Sequence, residues 1–217
     1  METTTIDVSE KPRIVPDNNR KTITIEIVGA AIFSALSIVL SVFLPPFRLA
    51  WGIAYFDPVS IIWISSFLIF GFRAGLLTTV IGAVGLVLVD PFLAYFGPVM
   101  KFLSTIWFVL IPYLYIRIIR KTRFNGKDLK KFSNYIPSML IAWAIRCILM
   151  SILNYLIITY MFEMQVDLGW LGFSELAGIW AILITVFVLN TLQSFFDTLI
   201  PFLLVFTTGI YDRFEIY

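Results

Sequence analysis

Long apolar blocks, separated by proline, glycine or clustered charge, decide what this chain can fold into. A helix that crosses a bilayer needs about 20 mainly apolar residues, because each adds ~1.5 Å across a ~30 Å hydrocarbon core. Thr22 to Phe43 is such a block, and Pro45 and Pro46 end it because proline cannot extend the helical hydrogen-bond ladder. The next block, Asp57 to Val89, is broken at Gly71-Phe72-Arg73-Ala74-Gly75 and reads as two short spans joined by a tight turn. Pro98 to Ile119, Pro137 to Tyr160, and a sixth span within Glu175 to Phe206 complete the set. The expected fold is an all-α integral membrane protein with six transmembrane helices.

Composition agrees. Apolar residues make up 59% of the chain and charged residues 14%, against about 45–50% and about 25% in a soluble domain. A soluble fold of 217 residues cannot hide that excess. The distribution of basic residues then orients the spans. With both termini cytoplasmic, thirteen of the sixteen Lys and Arg fall in cytoplasmic segments, among them Arg117, Arg120, Lys121, Arg123, Lys127, Lys130 and Lys131 before the fifth span. Arg48 is alone in the outer loops, while Lys101 and Arg146 lie inside spans. This asymmetry is the positive-inside pattern of a multi-pass protein of the cell membrane. Residues 1–21 form a polar cytoplasmic tail and residues 22–217 a single transmembrane domain.

Several function classes are disfavoured. A net charge of +2, with the basic residues flanking spans, does not suit nucleic acid. The chain has no histidine and one cysteine, Cys147, so no disulfide, metal site or cofactor is expected. An intramembrane enzyme needs a nucleophile and base or a metal. Asp197 reads as the only carboxylate deep in a span, so no enzymatic activity is expected, though an intramembrane enzyme stays as an alternative.

Polar side chains within spans are costly and mark function or buried pairing. Arg146, Met150 and Asn154 share one face of the fifth helix, and Asn190, Gln193 and Asp197 share one face of the sixth. Counted from Pro137 and Phe206, Arg146 and Asp197 are each about 13 Å from the cytoplasmic ends. That match suits a structural ion pair. Asn154 and Asn190 are each about 25 Å in. They and Gln193 either line a polar pocket that reads a hydroxyl- or amide-rich ligand, or hydrogen-bond between helices with no ligand. Lys101 begins a polar stripe with Ser104 and Thr105 on the fourth helix, and either joins that pocket or snorkels to the headgroups. Trp51 and Tyr55, in the aromatic loop from Leu44 to Phe56, either anchor the interface or cover a ligand's ring. Ala31 and Ala35 stand one turn apart on the first helix, a spacing that lets a partner helix approach closely.

In their order, these segments resemble the substrate-binding S components of energy-coupling factor vitamin transporters. Ala31-Ile32-Phe33-Ser34-Ala35 is similar to the AxxxA motif with which those subunits meet a transmembrane coupling subunit. Phe70 to Gly75 is similar to the FGPxAG turn, with Phe72-Arg73 departing from it, and Gly97 to Phe102 is similar to the GPxxNF start of the fourth helix. Met150 to Tyr155 resembles the MxxLNY segment of the riboflavin-specific members, and Asn190 to Gln193 their NxxK segment. Lys101 stands where asparagine is usual and Gln193 where lysine is usual. Either the charge has moved around one pocket or the ligand differs. The resemblance implies a lipid-embedded protein that binds a vitamin through Lys101, Asn154, Asn190, Gln193, Trp51 and Tyr55. It also implies a coupling subunit and two cytoplasmic ATPases as partners. The chain contains no GxxxxGK[ST] phosphate loop of its own. A ligand-free assembly subunit is the remaining alternative.

Overall fold

A computed structural model describes residues 18–44, 46–48, 54–89, 95–119, 121, 124, 126–161, 167–168 and 173–214. The helices are α1 (Asn18–Phe43), α2 (Pro58–Phe70), α3 (Phe72–Val89), α4 (Phe96–Thr105), α5 (Trp107–Ile119), α6 (Phe132–Leu156), α7 (Ile179–Phe202) and α8 (Ile210–Phe214). Single π-helical turns prolong α6 through Ile157–Met161 and α7 through Leu203–Thr207. Strand β1 (Phe47–Arg48) pairs antiparallel with β2 (Ala54–Phe56), and β3 (Asp167–Leu168) pairs antiparallel with β4 (Phe173–Ala177).

Among the described residues, five apolar helical stretches are long enough to cross a membrane: Thr22–Phe43, Phe72–Val89, Phe96–Ile119, Phe132–Tyr160 and Ile179–Thr207. The chain is therefore an all-helical, multi-pass membrane protein with two small hairpins in its connections. The third of these stretches contains both α4 and α5, which meet at Ile106, where Val109 N–H donates to Ile106 O at 3.1 Å.

Helix α2 differs from the rest. It has 13 residues, about 20 Å of rise and so less than a bilayer's core. Every α2 residue except Ile62 is buried. Its side chains are apolar on all sides apart from serines, which is the pattern of a helix packed against others all round. The other helices surround it and turn aliphatic faces outward, among them Ile27, Val28, Ile32, Leu36 and Val39 on α1.

Glycine lets the first three helices close up. A Cβ on Gly82 of α3 would collide with the Trp63 indole of α2. A Cβ on Gly29 of α1 would stand 2.8 Å from the Phe70 ring. Trp63 then donates its Nε1–H to Ser37 Oγ of α1 at 3.0 Å, so one α2 side chain ties to both neighbours. The expected turn is a single residue, Gly71, whose φ of 91° lies in the left-handed region that favours glycine.

The start of the fifth span moves. The fifth span starts at Phe132, and Pro137 lies inside the helix. The residues ahead of Pro137 stay helical because Tyr135 and Phe132 have partners on α7: Tyr135 Oη donates to Thr198 O at 2.6 Å, and the Phe132 ring lies 4.8 Å from that of Phe202. The sixth span starts at Ile179, inside the expected range, after Gly178 at φ 77° and the strand Phe173–Ala177.

The Gly71 turn, the short 3₁₀ helix Gly126–Lys130 and α8 gather at one end of the bundle. Phe70 meets Phe214 at 5.2 Å between rings, and Lys130 meets Asp212 at 3.2 Å. Strand β2 packs at the other end, where the Phe56 ring stands edge-on to Phe196 of α7 at 5.3 Å.

Candidate functional site

The candidate site begins where β2 hands over to α2. Asp57 is the N-cap, and its Oδ1 accepts from Val59 N–H at 2.9 Å, while Pro58 at the first helical position has no N–H to satisfy. That leaves Oδ2 free for Lys101 Nζ of α4, 2.8 Å away. Lys101 Nζ also donates to Ser60 Oγ at 2.8 Å. The Ser60 proton is offered in turn to Asp197 Oδ1 of α7 at 2.5 Å, with Asp57 O at 2.9 Å as a second acceptor. Asp197 Oδ2 accepts from Arg146 Nη1 of α6 at 2.7 Å. Arg146 Nε donates to Asn190 Oδ1 at 3.0 Å, and the guanidinium carbon lies 5.6 Å from the centre of the Phe108 ring of α5. Asn190 Nδ2 ends the chain on Val186 O at 2.9 Å.

One hydrogen-bonded path thus joins α2, α4, α6 and α7. Its four charged side chains are two carboxylates and two cations, with side-chain exposures of 8% or less. Such ions are kept only because each is paired and hydrogen-bonded, since an uncompensated buried charge costs several kcal/mol. Asp57 lies deep because α2 is short: its N-terminal end, with Asp57 at 5% exposure, is covered within the bundle rather than at its rim.

The structure brings some expected residues together and separates others. Arg146 and Asp197 meet, although at different depths. Counted from the observed helix start at Phe132, Arg146 is ~21 Å in, near the middle of its span, and bridges Asn190 and Asp197. Lys101 does not snorkel; it is turned inward onto Asp57 and Ser60. Asn190 joins the path, and Gln193 is buried on the same helix. Asn154 is partly buried and donates to Met150 O of its own helix at 2.8 Å, one turn back. Tyr55 is half-buried in β2 with its ring 6.2 Å from that of Phe47. Trp51 lies outside the described residues. Ala31 and Ala35 are both exposed on the outer face of α1, whereas the neighbouring Gly29 and Ala30 face inward.

Asp197 is not the only buried carboxylate. Asp57 is buried, and so is Glu26 of α1, which faces Arg73 at 4.0 Å. Sequence reading missed Asp57 and Ser60. The signal was present, since Asp-Pro before an apolar run is a helix-start signature that points the Asp side chain back at the first turn.

Three buried polar atoms beside the path have no hydrogen-bond partner among the described residues: Arg146 Nη2, Thr105 Oγ1 and Ser194 Oγ. Leaving such a group unsatisfied costs ~1–3 kcal/mol. Among the described residues no three His, Cys, Asp or Glu side chains come together to hold a metal ion. No protein-family model, no curated protein and no solved structure matches this chain.

Proposed function

We propose that this chain is the substrate-binding membrane subunit of an energy-coupling factor type vitamin importer, with riboflavin or a related vitamin as ligand. In this reading it crosses the cell membrane six times with both termini cytoplasmic. The hairpin end faces outward, and the short α2 counts as the second span because the bundle around it supplies the missing length. The observation that carries the reading is the charge-balanced polar path enclosed by α2, α4, α6 and α7 beneath the β1–β2 hairpin. Ionisable groups in a membrane interior mark a functional site by default. Asn190 and Gln193, buried on the α7 face, and Asn154 on α6 supply the amides that would read a ligand's polar edge, with Lys101 on the same hydrogen-bonded path as Asn190. Tyr55 and Trp51 belong to the loop that would cover its rings. Ala31 and Ala35, exposed on α1, offer the flat surface a coupling subunit needs, and two ATPases would attach through that subunit.

A second reading is favoured by one observation: each of the four charges is already paired within the protein. A ligand-free assembly subunit would need no more than that. Titration of the purified protein with a vitamin panel, followed by tryptophan quenching, separates the two. Riboflavin is expected to bind. Asn154→Leu and Asn190→Leu are each expected to weaken binding tenfold or more, since ~1.4 kcal/mol gives that factor. If no vitamin binds and neither substitution changes uptake by cells, the assembly reading holds.

A further inference from the structure

Thr105, Ser194 and Arg146 belong to three different helices, yet each has helix neighbours that belong to, or touch, one hydrogen-bonded path. On α7, Ser194 lies between Asn190 and Asp197 along one face, and Arg146 bonds to both of those residues. The Arg146 guanidinium therefore lies across Ser194. Thr105, the last residue of α4, is one turn beyond Lys101 and three residues before Phe108 of α5. Lys101 reaches the path through Ser60, and Phe108 lies under Arg146. Thr105 thus shares the helix face that carries Lys101 and Phe108, two residues in contact with the path. Thr105 and Arg146 are 0% exposed and Ser194 is 3% exposed. All three have a polar atom with no partner among the described residues.

We infer that Arg146 Nη2, Thr105 Oγ1 and Ser194 Oγ form one enclosed site for a single uncharged oxygen. The chemistry follows from the donors. Arg146 Nη2 can only donate, and each hydroxyl can donate or accept. An oxygen placed among them accepts from the guanidinium and completes its shell with the hydroxyls. It is uncharged because the two carboxylates and two cations around it already balance. A water oxygen and a ligand's carbonyl or hydroxyl oxygen both meet this description, and a buried water takes about three such bonds. The site does not depend on the vitamin reading; where that reading holds, it identifies a contact made by the ligand.

Near-isosteric removal of the hydroxyls tests the site. Thr105→Val, Ser194→Ala and the double variant of the full chain are purified in detergent, and thermal midpoints are measured with and without riboflavin. If the hydroxyls hold nothing, removing them relieves an unsatisfied group and the midpoint rises or stays put. If they hold a water, each single variant lowers the ligand-free midpoint by about 2–4 °C. The double variant then falls little further, because the two side chains share one partner. If the oxygen is the ligand's, the ligand-free midpoints do not fall and riboflavin affinity drops tenfold or more in each single variant. The site is overturned by additive losses, or by no loss of either midpoint or affinity. A wild-type protein that fails to bind riboflavin removes riboflavin as the ligand, not the vitamin reading, and leaves the ligand-free comparison to decide the site.

Discussion

At the scale of the residue, Arg146 is the most demanding side chain in the protein. It is a fully buried cation held by Asp197, Asn190 and the Phe108 face. Removing one partner of such a pair typically costs ~3–5 kcal/mol, because the other charge is left uncompensated, whereas removing both often costs less. Arg146→Met and Asp197→Asn are each expected to lower the thermal midpoint more than the double variant does. Additive losses in the double-mutant cycle would argue against direct coupling. The pair was legible in the sequence because helical spacing puts Arg146 and Asp197 on inward faces. The rest of the path was not, because Ser60 and Asp57 are ordinary helix-start residues until α2 is seen to begin inside the bundle. Lys101 was legible as a polar intrusion but not in its direction, since a lysine arm is long enough to point either way.

Elements show the same division between what spacing fixes and what packing decides. The block Thr22–Phe43 and the Gly71 break follow from apolar length and glycine placement, and the structure reproduces both. The start of α6 does not follow, because a proline early in a helix reads equally as its first residue, and tertiary contacts, with α7 and through Asn134 Nδ2 to Asp128 O, hold the turn ahead of it. Close packing of α3 on α2 depends on the missing side chain at Gly82. Gly82→Leu is expected to displace Trp63, break its bond to Ser37 and destabilise the protein by at least the ~1–3 kcal/mol typical of overpacking. A wild-type midpoint in that variant would show that α3 can move aside freely. The opposite face of α1 predicts the reverse. Ala31→Trp and Ala35→Trp point away from the core, so the folded state and ligand binding are expected to persist while uptake and co-purification with a coupling subunit are lost. Unchanged uptake and assembly in both variants would remove this face as the contact.

For the whole molecule, charge asymmetry between the two ends is what supports the proposed orientation. The end with the Gly71 turn, the 3₁₀ helix and α8 carries Arg73, Lys127, Lys130, Lys131 and Arg213, whereas the hairpin end has Arg48 in its first loop. A cysteine introduced at 127 or 131 is therefore expected to react with a membrane-impermeant thiol reagent in inverted vesicles and not in intact cells. Reaction from outside intact cells would reverse the topology. The balance of charge inside the bundle bears on a different force, the membrane voltage. Each unbalanced elementary charge carried across a membrane is worth about 2.3 kcal/mol per 100 mV. Asp57, Asp197, Lys101 and Arg146 sum to zero. A rearrangement that moved the four together would thus do no net electrical work, and an uncharged solute carried with them would add none. In the proposed transport role, such a cycle would leave the cell's resting potential untouched, and its directionality would have to come from chemical energy supplied by the proposed partners.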